Sequence, residues 1–157
     1  TPVRLGADFD PLALHRLDPA RYPVVLESVA HGTAQGRHDI VLGFPGDELR
    51  HARPGPPGAG FLDRLDAEFE RCRTRPAPAG APPFTGGWFL FLGYELRAEI
   101  EPAAGLRLPP HGPVALALRI PVALVRDRVR GAAWIVTEPG FDACRGDVER
   151  DLARLPG

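Results

Sequence analysis

The residues that could do chemistry are few. Ser28 is the only serine, and it sits in Leu26-Glu27-Ser28-Val29 rather than in the Gly-x-Ser-x-Gly elbow that presents a nucleophile. A Ser-His-Asp triad therefore has one candidate nucleophile, in the wrong local setting. Metal binding would have to draw on His15, His31, His38, His51 or His111 with carboxylates. None of these pairs has the spacing of ligands on one helix or hairpin, so solvated or hydrogen-bonded histidines are expected. Cys72 and Cys144 belong to no paired spacing, which excludes zinc motifs and redox dithiols; each falls in a helical pattern where a buried free thiol is expected, with one disulfide between them the alternative. Gly58-x-Gly60 lacks the third glycine and the preceding strand of a dinucleotide fingerprint. With no Lys anywhere, a phosphate loop and a Schiff-base lysine are both excluded. Glu99 and Glu101 read as a solvated helix end. No catalytic centre emerges from these residues.

Two segments offer more. Tyr22-Pro23-Val24-Val25-Leu26-Glu27-Ser28-Val29 is followed by Arg37-His38-Asp39-Ile40. A strand ending in Glu-Ser places a carboxylate and a hydroxyl beside apolar neighbours. Such a group could hold the polar end of an amino acid against a wall of Val25 or Leu26. The alternative is purely structural, with Glu27 paired to Arg37 and Ser28 capping the loop that follows. The second segment runs from Pro82 through Gly86-Gly87-Trp88 to Leu92-Gly93-Tyr94-Glu95-Leu96 and on to Glu101-Pro102. Paired glycines entering an apolar strand imply close backbone approach, to a neighbouring strand or to a ligand.

The elements that must position these residues follow from periodicity. Asp18-Pro19 has the signature of a helix start, an acceptor followed by proline at the first helical position. Pro23 then opens a strand over 24–28, and alternation marks a second from His38 to Phe44. Phe44-Pro45-Gly46-Asp47 is a turn, with a short strand expected between Glu48 and Arg53. Phe61, Leu62, Leu65, Phe69 and Cys72 recur at helical spacing, predicting an amphipathic helix over 61–75 between Gly/Pro-rich loops. The run from Gly86 to Tyr94 is apolar throughout, predicting a strand buried on both faces. A short helix is expected over 95–100. Two long strands, 114–125 and 129–137, should form a hairpin, with Pro121 demoting the first to an edge or marking a bulge. A helix over 141–155 closes the chain. This order predicts an α+β fold of antiparallel sheet layers flanked by helices, in a single domain spanning 1–157.

Composition narrows the class. The 157 residues are 44% hydrophobic and 25% charged, with 19 basic residues against 20 acidic ones. That balance argues against a nucleic-acid or membrane-surface partner, which would favour a basic excess. No apolar run is long enough to span a membrane and no signal peptide is visible, so a cytoplasmic location is expected. The absence of Met makes a piece of a longer polypeptide the favoured expectation.

Taken in order, Leu26-Glu27-Ser28, Arg37-x-Asp39-Ile40, Pro83-Phe84-x-Gly86-Gly87-Trp88 and Leu92-Gly93-Tyr94-Glu95-Leu96 resemble a known series. It is that of the N-terminal domain of chorismate-utilising enzymes, the family of anthranilate synthase component I and aminodeoxychorismate synthase component I. The resemblance runs from Asp18 to Thr137. Arg-x-Asp-Ile, with Gly86-Gly87-Trp88, Tyr94-Glu95-Leu96 and Glu101-Pro102, resembles the aminodeoxychorismate (para-aminobenzoate) branch, whereas anthranilate synthases usually carry Arg-Tyr-Ser at 37–39. His38 departs from the aromatic usual after the arginine, which bears on the shape of any pocket.

The resemblance implies that this chain is the non-catalytic N-terminal part of a component I enzyme and one part of a larger α/β/β/α sandwich. The full enzyme would convert chorismate and ammonia to 4-amino-4-deoxychorismate for folate synthesis. Its catalytic residues and its magnesium would lie in a C-terminal chorismate-binding domain absent from this chain. Its ammonia would come from a glutamine amidotransferase subunit or domain. Family members bind L-tryptophan, and the motif match implies a pocket formed by Leu26, Glu27, Ser28, Gln35, Gly36, Arg37 and His38. In it Ser28 would hydrogen-bond the amino acid's polar end, Glu27 would pair with the ammonium and His38 would contact the ring. Two other readings stand beside this one: the same domain of an anthranilate synthase, where tryptophan is sensed, and a freestanding ligand-binding or scaffold module.

Overall fold

The structure, a computed structural model, describes residues 2–5, 8–30, 33, 36–51, 60–73, 79–101 and 113–156. They form two antiparallel sheets and four α-helices, an α+β fold as expected. The chain divides into two compact units, the first Thr1–Gly46, Ala77–Gly87 and Ile120–Gly157, the second Asp47–Pro76 and Trp88–Arg119.

The first unit is built on a five-stranded sheet. Its strands are β1 (Pro2–Arg4), β2 (Val24–Leu26), β3 (His38–Gly43), β7 (Val122–Asp127) and β8 (Ala132–Thr137), in the order β1-β8-β7-β3-β2. Alternation along the central strands explains the packing. Val41, Val122, Leu124, Ala133 and Ile135 form one core with Leu14 of α1 (Pro11–Leu17) and Val148 of α4 (Cys144–Leu152). Each such large apolar side chain contributes about 1.5–3 kcal/mol by leaving water.

The helix expected at Asp18-Pro19 begins instead at Asp10-Pro11, which carries the same signature. Asp10 Oδ1 accepts from the Leu12 and Ala13 amides at 2.9 and 3.1 Å. Asp18 ends the helix and accepts from the Arg21 amide at 2.9 Å. The reason is Pro23, which leaves no room for a helix after Pro19, whereas Leu12-Ala13-Leu14 continues freely from Pro11. Farther on, Asp151 of α4 is buried and accepts from Arg21 Nη1 at 2.6 Å and the Tyr22 hydroxyl at 2.9 Å, tying that helix to the start of β2.

The second unit holds a three-stranded sheet in the order β4 (Glu48–His51), β6 (Ala115–Ile120), β5 (Gly87–Leu92). Phe61 of α2 (Phe61–Arg71), Leu96, Val114, Ala115 and Ala117 make its core, with Leu49, Leu62, Leu65 and Trp88 packed against it. Phe69, expected on the apolar face of α2, is exposed. A 3-10 turn (Tyr94–Leu96) leads into α3 (Arg97–Ile100).

Two expectations about strands are corrected. The apolar run 87–92 lies at a sheet edge, with Leu90, Phe91 and Leu92 exposed, so it is not buried on both faces. Pro121 does not mark an edge or a bulge within one long strand. It separates β6 from β7, which are the central strand of one sheet and an interior strand of the other. A residue without an N–H breaks the ladder where the chain changes sheets.

The paired glycines have a structural cause. Gly86 and Gly87 both have positive φ (111° and 143°), and a Cβ on Gly86 would lie 2.1 Å from a carboxylate oxygen of buried Glu138. The close approach is therefore to a side chain just after β8. Among the described residues, no helix is long and apolar enough to cross a membrane.

Candidate functional site

Of the residues singled out in the sequence, Leu26, Glu27 and Ser28 at the end of β2 and Gly36, Arg37, His38 and Asp39 at the start of β3 lie at one end of the five-stranded sheet. Register determines what they meet: His38 on β3 faces Asp127 on β7, and Asp39 faces Arg126. Side chains directly opposite in an antiparallel pair share a face, and the next pair takes the other face. Two charged assemblies result.

On one face Asp39 is fully buried, and its Oδ2 accepts from Arg126 Nε at 2.8 Å and from Arg128 Nε at 2.6 Å. Its Oδ1 is buried with no hydrogen-bond partner among the described residues. Arg126 also donates from Nη1 to the Phe9 carbonyl at 3.1 Å and lies 3.5 Å from Asp8. Glu27 Oε1 stands 3.7 Å from Arg126 Nη2 and 3.9 Å from Arg128 Nη2. Those separations are attractive but too long for hydrogen bonds. The Arg126 guanidinium is held above its ordinary pKa; burial lowers it, and the bond and charge of Asp39 outweigh that effect.

The second assembly is centred on Asp127. Arg37 Nε donates to both its carboxylate oxygens, at 3.1 and 3.0 Å, and Nη2 to Oδ2 at 2.5 Å. The Val129 and Arg130 amides donate to Oδ1 at 3.0 Å each, closing the β7–β8 turn. His38 Nε2 lies 3.7 Å from Oδ2. The Arg37 hydrogen bond above all, aided by these amides against a smaller opposing effect of burial, holds the Asp127 carboxyl at about 2.

Ser28 Oγ accepts from the Ala30 amide at 3.2 Å, as the structural alternative expected. The pairing of Glu27 with Arg37 is replaced by Arg126 and Arg128, because Asp127 holds Arg37. Gly36 is buried, its N–H shared between the Thr33 carbonyl at 3.2 Å and Thr33 Oγ1 at 3.1 Å. Leu26 pairs with Ile40 in the ladder and is 45% exposed, leaving apolar surface for a partner. Gln35 lies outside the described residues.

These residues open onto two different clefts. Glu27 lines one of about 870 Å³ with Asp8, Phe9, Arg126 and Leu152. Arg37 and His38 line another of about 230 Å³ with Pro82, Asp127 and Trp134. In the first, Arg126 faces Asp8 and Glu27; in the second, Arg37 and Arg130 face Asp127. Neither Asp127, held at about 2, nor an arginine exchanges a proton near neutral pH. The arginines and Asp127 can bind and orient a ligand and are poor acid–base catalysts. Among the described residues, no group of three or more His, Cys, Asp or Glu side chains is placed to hold a metal ion.

Sequence reasoning missed Arg126, Asp127 and Arg128 as partners of this region. Their signal was the dense Arg126-Asp127-Arg128-x-Arg130 run at the expected hairpin turn, where solvated residues would suffice. It also misjudged Glu99. That side chain is buried rather than solvated, and its carboxylate accepts from the Phe61 and Leu62 amides at 2.9 and 3.3 Å, capping α2. His51 Nε2 lies 3.3 Å from Glu99 Oε1.

No family model matches the chain. It is similar to anthranilate synthase component 1 of Cereibacter sphaeroides, 32% identical over 153 residues, an alignment covering 85% of this chain. The chain spans 30% of the length of that relative. The similarity supports a domain of the chorismate-utilising enzymes and does not single out the aminodeoxychorismate branch.

Proposed function

We propose that this chain is the N-terminal, non-catalytic domain of an aminodeoxychorismate synthase component I. The complete protein would convert chorismate and ammonia to 4-amino-4-deoxychorismate. The observation that carries the reading is the ordered series of motifs within a region 32% identical to a component I enzyme. Within that series, Arg37-x-Asp39-Ile40 favours the aminodeoxychorismate branch. Asp39 also has work that a serine could not do, since one neutral hydroxyl would not balance Arg126 and Arg128.

In this reading, the domain supplies structure and one side of a tryptophan-type pocket. Among the described residues Glu27 makes no close hydrogen bond, which leaves it acceptor capacity for an ammonium. Leu26 offers an exposed apolar contact. Arg37 is committed to Asp127, so a ligand carboxylate would have to compete for it. In the same reading, magnesium, the C-terminal chorismate-binding domain and the amidotransferase subunit or domain would belong to parts of the protein outside this chain.

A specific observation favours a second reading, the corresponding domain of an anthranilate synthase: the similar protein bears that name. Product identity separates the two. The full-length polypeptide containing this chain is supplied with chorismate, magnesium and ammonium, and its products are identified by mass spectrometry. 4-Amino-4-deoxychorismate is the expected product. Anthranilate would transfer the assignment to the other branch, and turnover to neither would overturn both.

A further inference from the structure

We infer that Arg128 is a positioning residue for Ser28 and the main chain at Arg37, the two described arms of the connection between β2 and β3, beside Asp127, which holds the Arg37 side chain; the inference rests on reading these arms as part of a ligand pocket. Beyond Leu26 the β2–β3 ladder ends. Among the described residues, the bonds inside the loop are short-range ones: Ser28 to Ala30, Ala30 to Thr33 and Thr33 to Gly36. Bonds of that kind shape turns without fixing where Ser28 lies on the sheet.

Arg128 reaches both arms of the loop. Its backbone N–H donates to the Arg37 carbonyl at 2.9 Å, and its Nη1 donates to the Ser28 carbonyl at 3.2 Å. Its Nε is anchored on buried Asp39 at 2.6 Å, and its Nη2 faces Glu27 at 3.9 Å. One planar fork therefore spans an anchor on β3, the main chain at Ser28 and the carboxylate beside it. A lysine ammonium, a point donor on a flexible stem, cannot reproduce that geometry. Arg126 supplies an internal comparison. It binds the same Asp39 oxygen and comes as near to Glu27, at 3.7 Å, but its Nη1 turns to the Phe9 carbonyl and Asp8 and makes no bond to the main chain at Ser28.

The test uses the full-length polypeptide and three variants, Arg128→Gln, Arg128→Lys and Arg126→Gln. Amide hydrogen exchange is followed at Ala30 and Gly36, with Leu124 and Ile135 reporting global opening. Both Arg128 variants are expected to speed exchange at Ala30 and Gly36 about tenfold beyond the global change, while Arg126→Gln leaves them within about twofold of it. L-Tryptophan affinity, measured by equilibrium dialysis, should fall in the same order. Equal loosening by Arg126→Gln and Arg128→Gln, or a wild-type loop in Arg128→Lys, would overturn the inference, because neutralising Asp39 would then be all that Arg128 does. Failure of the wild type to bind tryptophan would instead remove the tryptophan reading, and the exchange results alone would decide the role of Arg128.

Discussion

Asp39 and Glu99 are both buried carboxylates, with side chains 0% and 6% exposed, and they are held by opposite kinds of partner. Asp39, in the five-stranded sheet, is answered by the guanidinium groups of Arg126 and Arg128. Glu99, in the second unit, is answered by backbone amides at the start of α2, with His51 alongside. The first solution joins charges that were expensive to desolvate, so removing any one strands the others. The second fills orphan N–H groups that every helix start presents and places a negative charge at the favourable end of the helix dipole. A buried acid can thus organise a charged cluster or terminate a helix, and its partners decide which.

Breaking each solution separates them by size. Asp39→Ala leaves two guanidinium groups facing each other without their acid; because both remain about a fifth exposed, the expected loss is the lower end of the buried-pair range, about 3 kcal/mol. Urea unfolding at neutral pH reads it, and a loss below about 1 kcal/mol would show that water already satisfies the arginines. Glu99→Ala should cost less, about 1–2 kcal/mol, since it removes one cap. Gly60→Ala sharpens the comparison from the other side. A Cβ there would lie 2.4 Å from Glu99 Oε2, so this variant should lose nearly as much stability as Glu99→Ala, and the double variant little more than either. Additive losses would show that Gly60 and Glu99 act independently.

The smallest effect sharpens the comparison within the arginine-paired region itself. Asp127 is held at about 2 against an ordinary 3.8. A depressed carboxyl contributes its full stability above the unfolded value and loses it as pH falls through the folded value. The Arg37–Asp127 contribution should therefore be intact above about pH 4 and vanish between about pH 4 and 2. Asp127→Asn should cost about 1 kcal/mol at pH 7, because Arg37 is partly exposed, and should show a shallower loss through that acid window. Thermal midpoints from pH 2 to 7 for both proteins measure the difference. Parallel acid limbs would mean that Asp127 does not titrate there. Asp151 is also held below its usual range, where Arg21 and Tyr22 outweigh the effect of burial, so the variant's limb should be shallower without becoming flat.

Much of the fold was legible because its causes are local. Alternation in His38–Gly43 and the hairpin of β7 and β8 needed only period and turn chemistry. The helix expected over 61–75 and found over 61–71, with 74 and 75 outside the described residues, needed only its apolar spacing. The first helix was misplaced because Asp10-Pro11 and Asp18-Pro19 carry the same local signature, and what followed each proline had to be weighed. Apolar content alone made the strand at 87–92 look doubly buried, since edge position is a property of the sheet and not of the strand.

The candidate site was legible in half. Leu26-Glu27-Ser28 and Arg37-His38-Asp39 stood out by residue type, but the residues that answer them, Arg126, Asp127 and Arg128, lie far along the chain. Only the β3–β7 register brings them opposite.

The sequence by itself therefore determined the α+β class, the strands and helices that follow from period, and the absence of lysine chemistry. The tertiary structure alone decided which carboxylate meets which arginine, that Glu99 caps a helix, and that Gly86 makes room for Glu138. The physical reason is range. Backbone preference and amphipathic period act over a few residues, whereas a buried charge is satisfied by whatever the register of distant strands places against it.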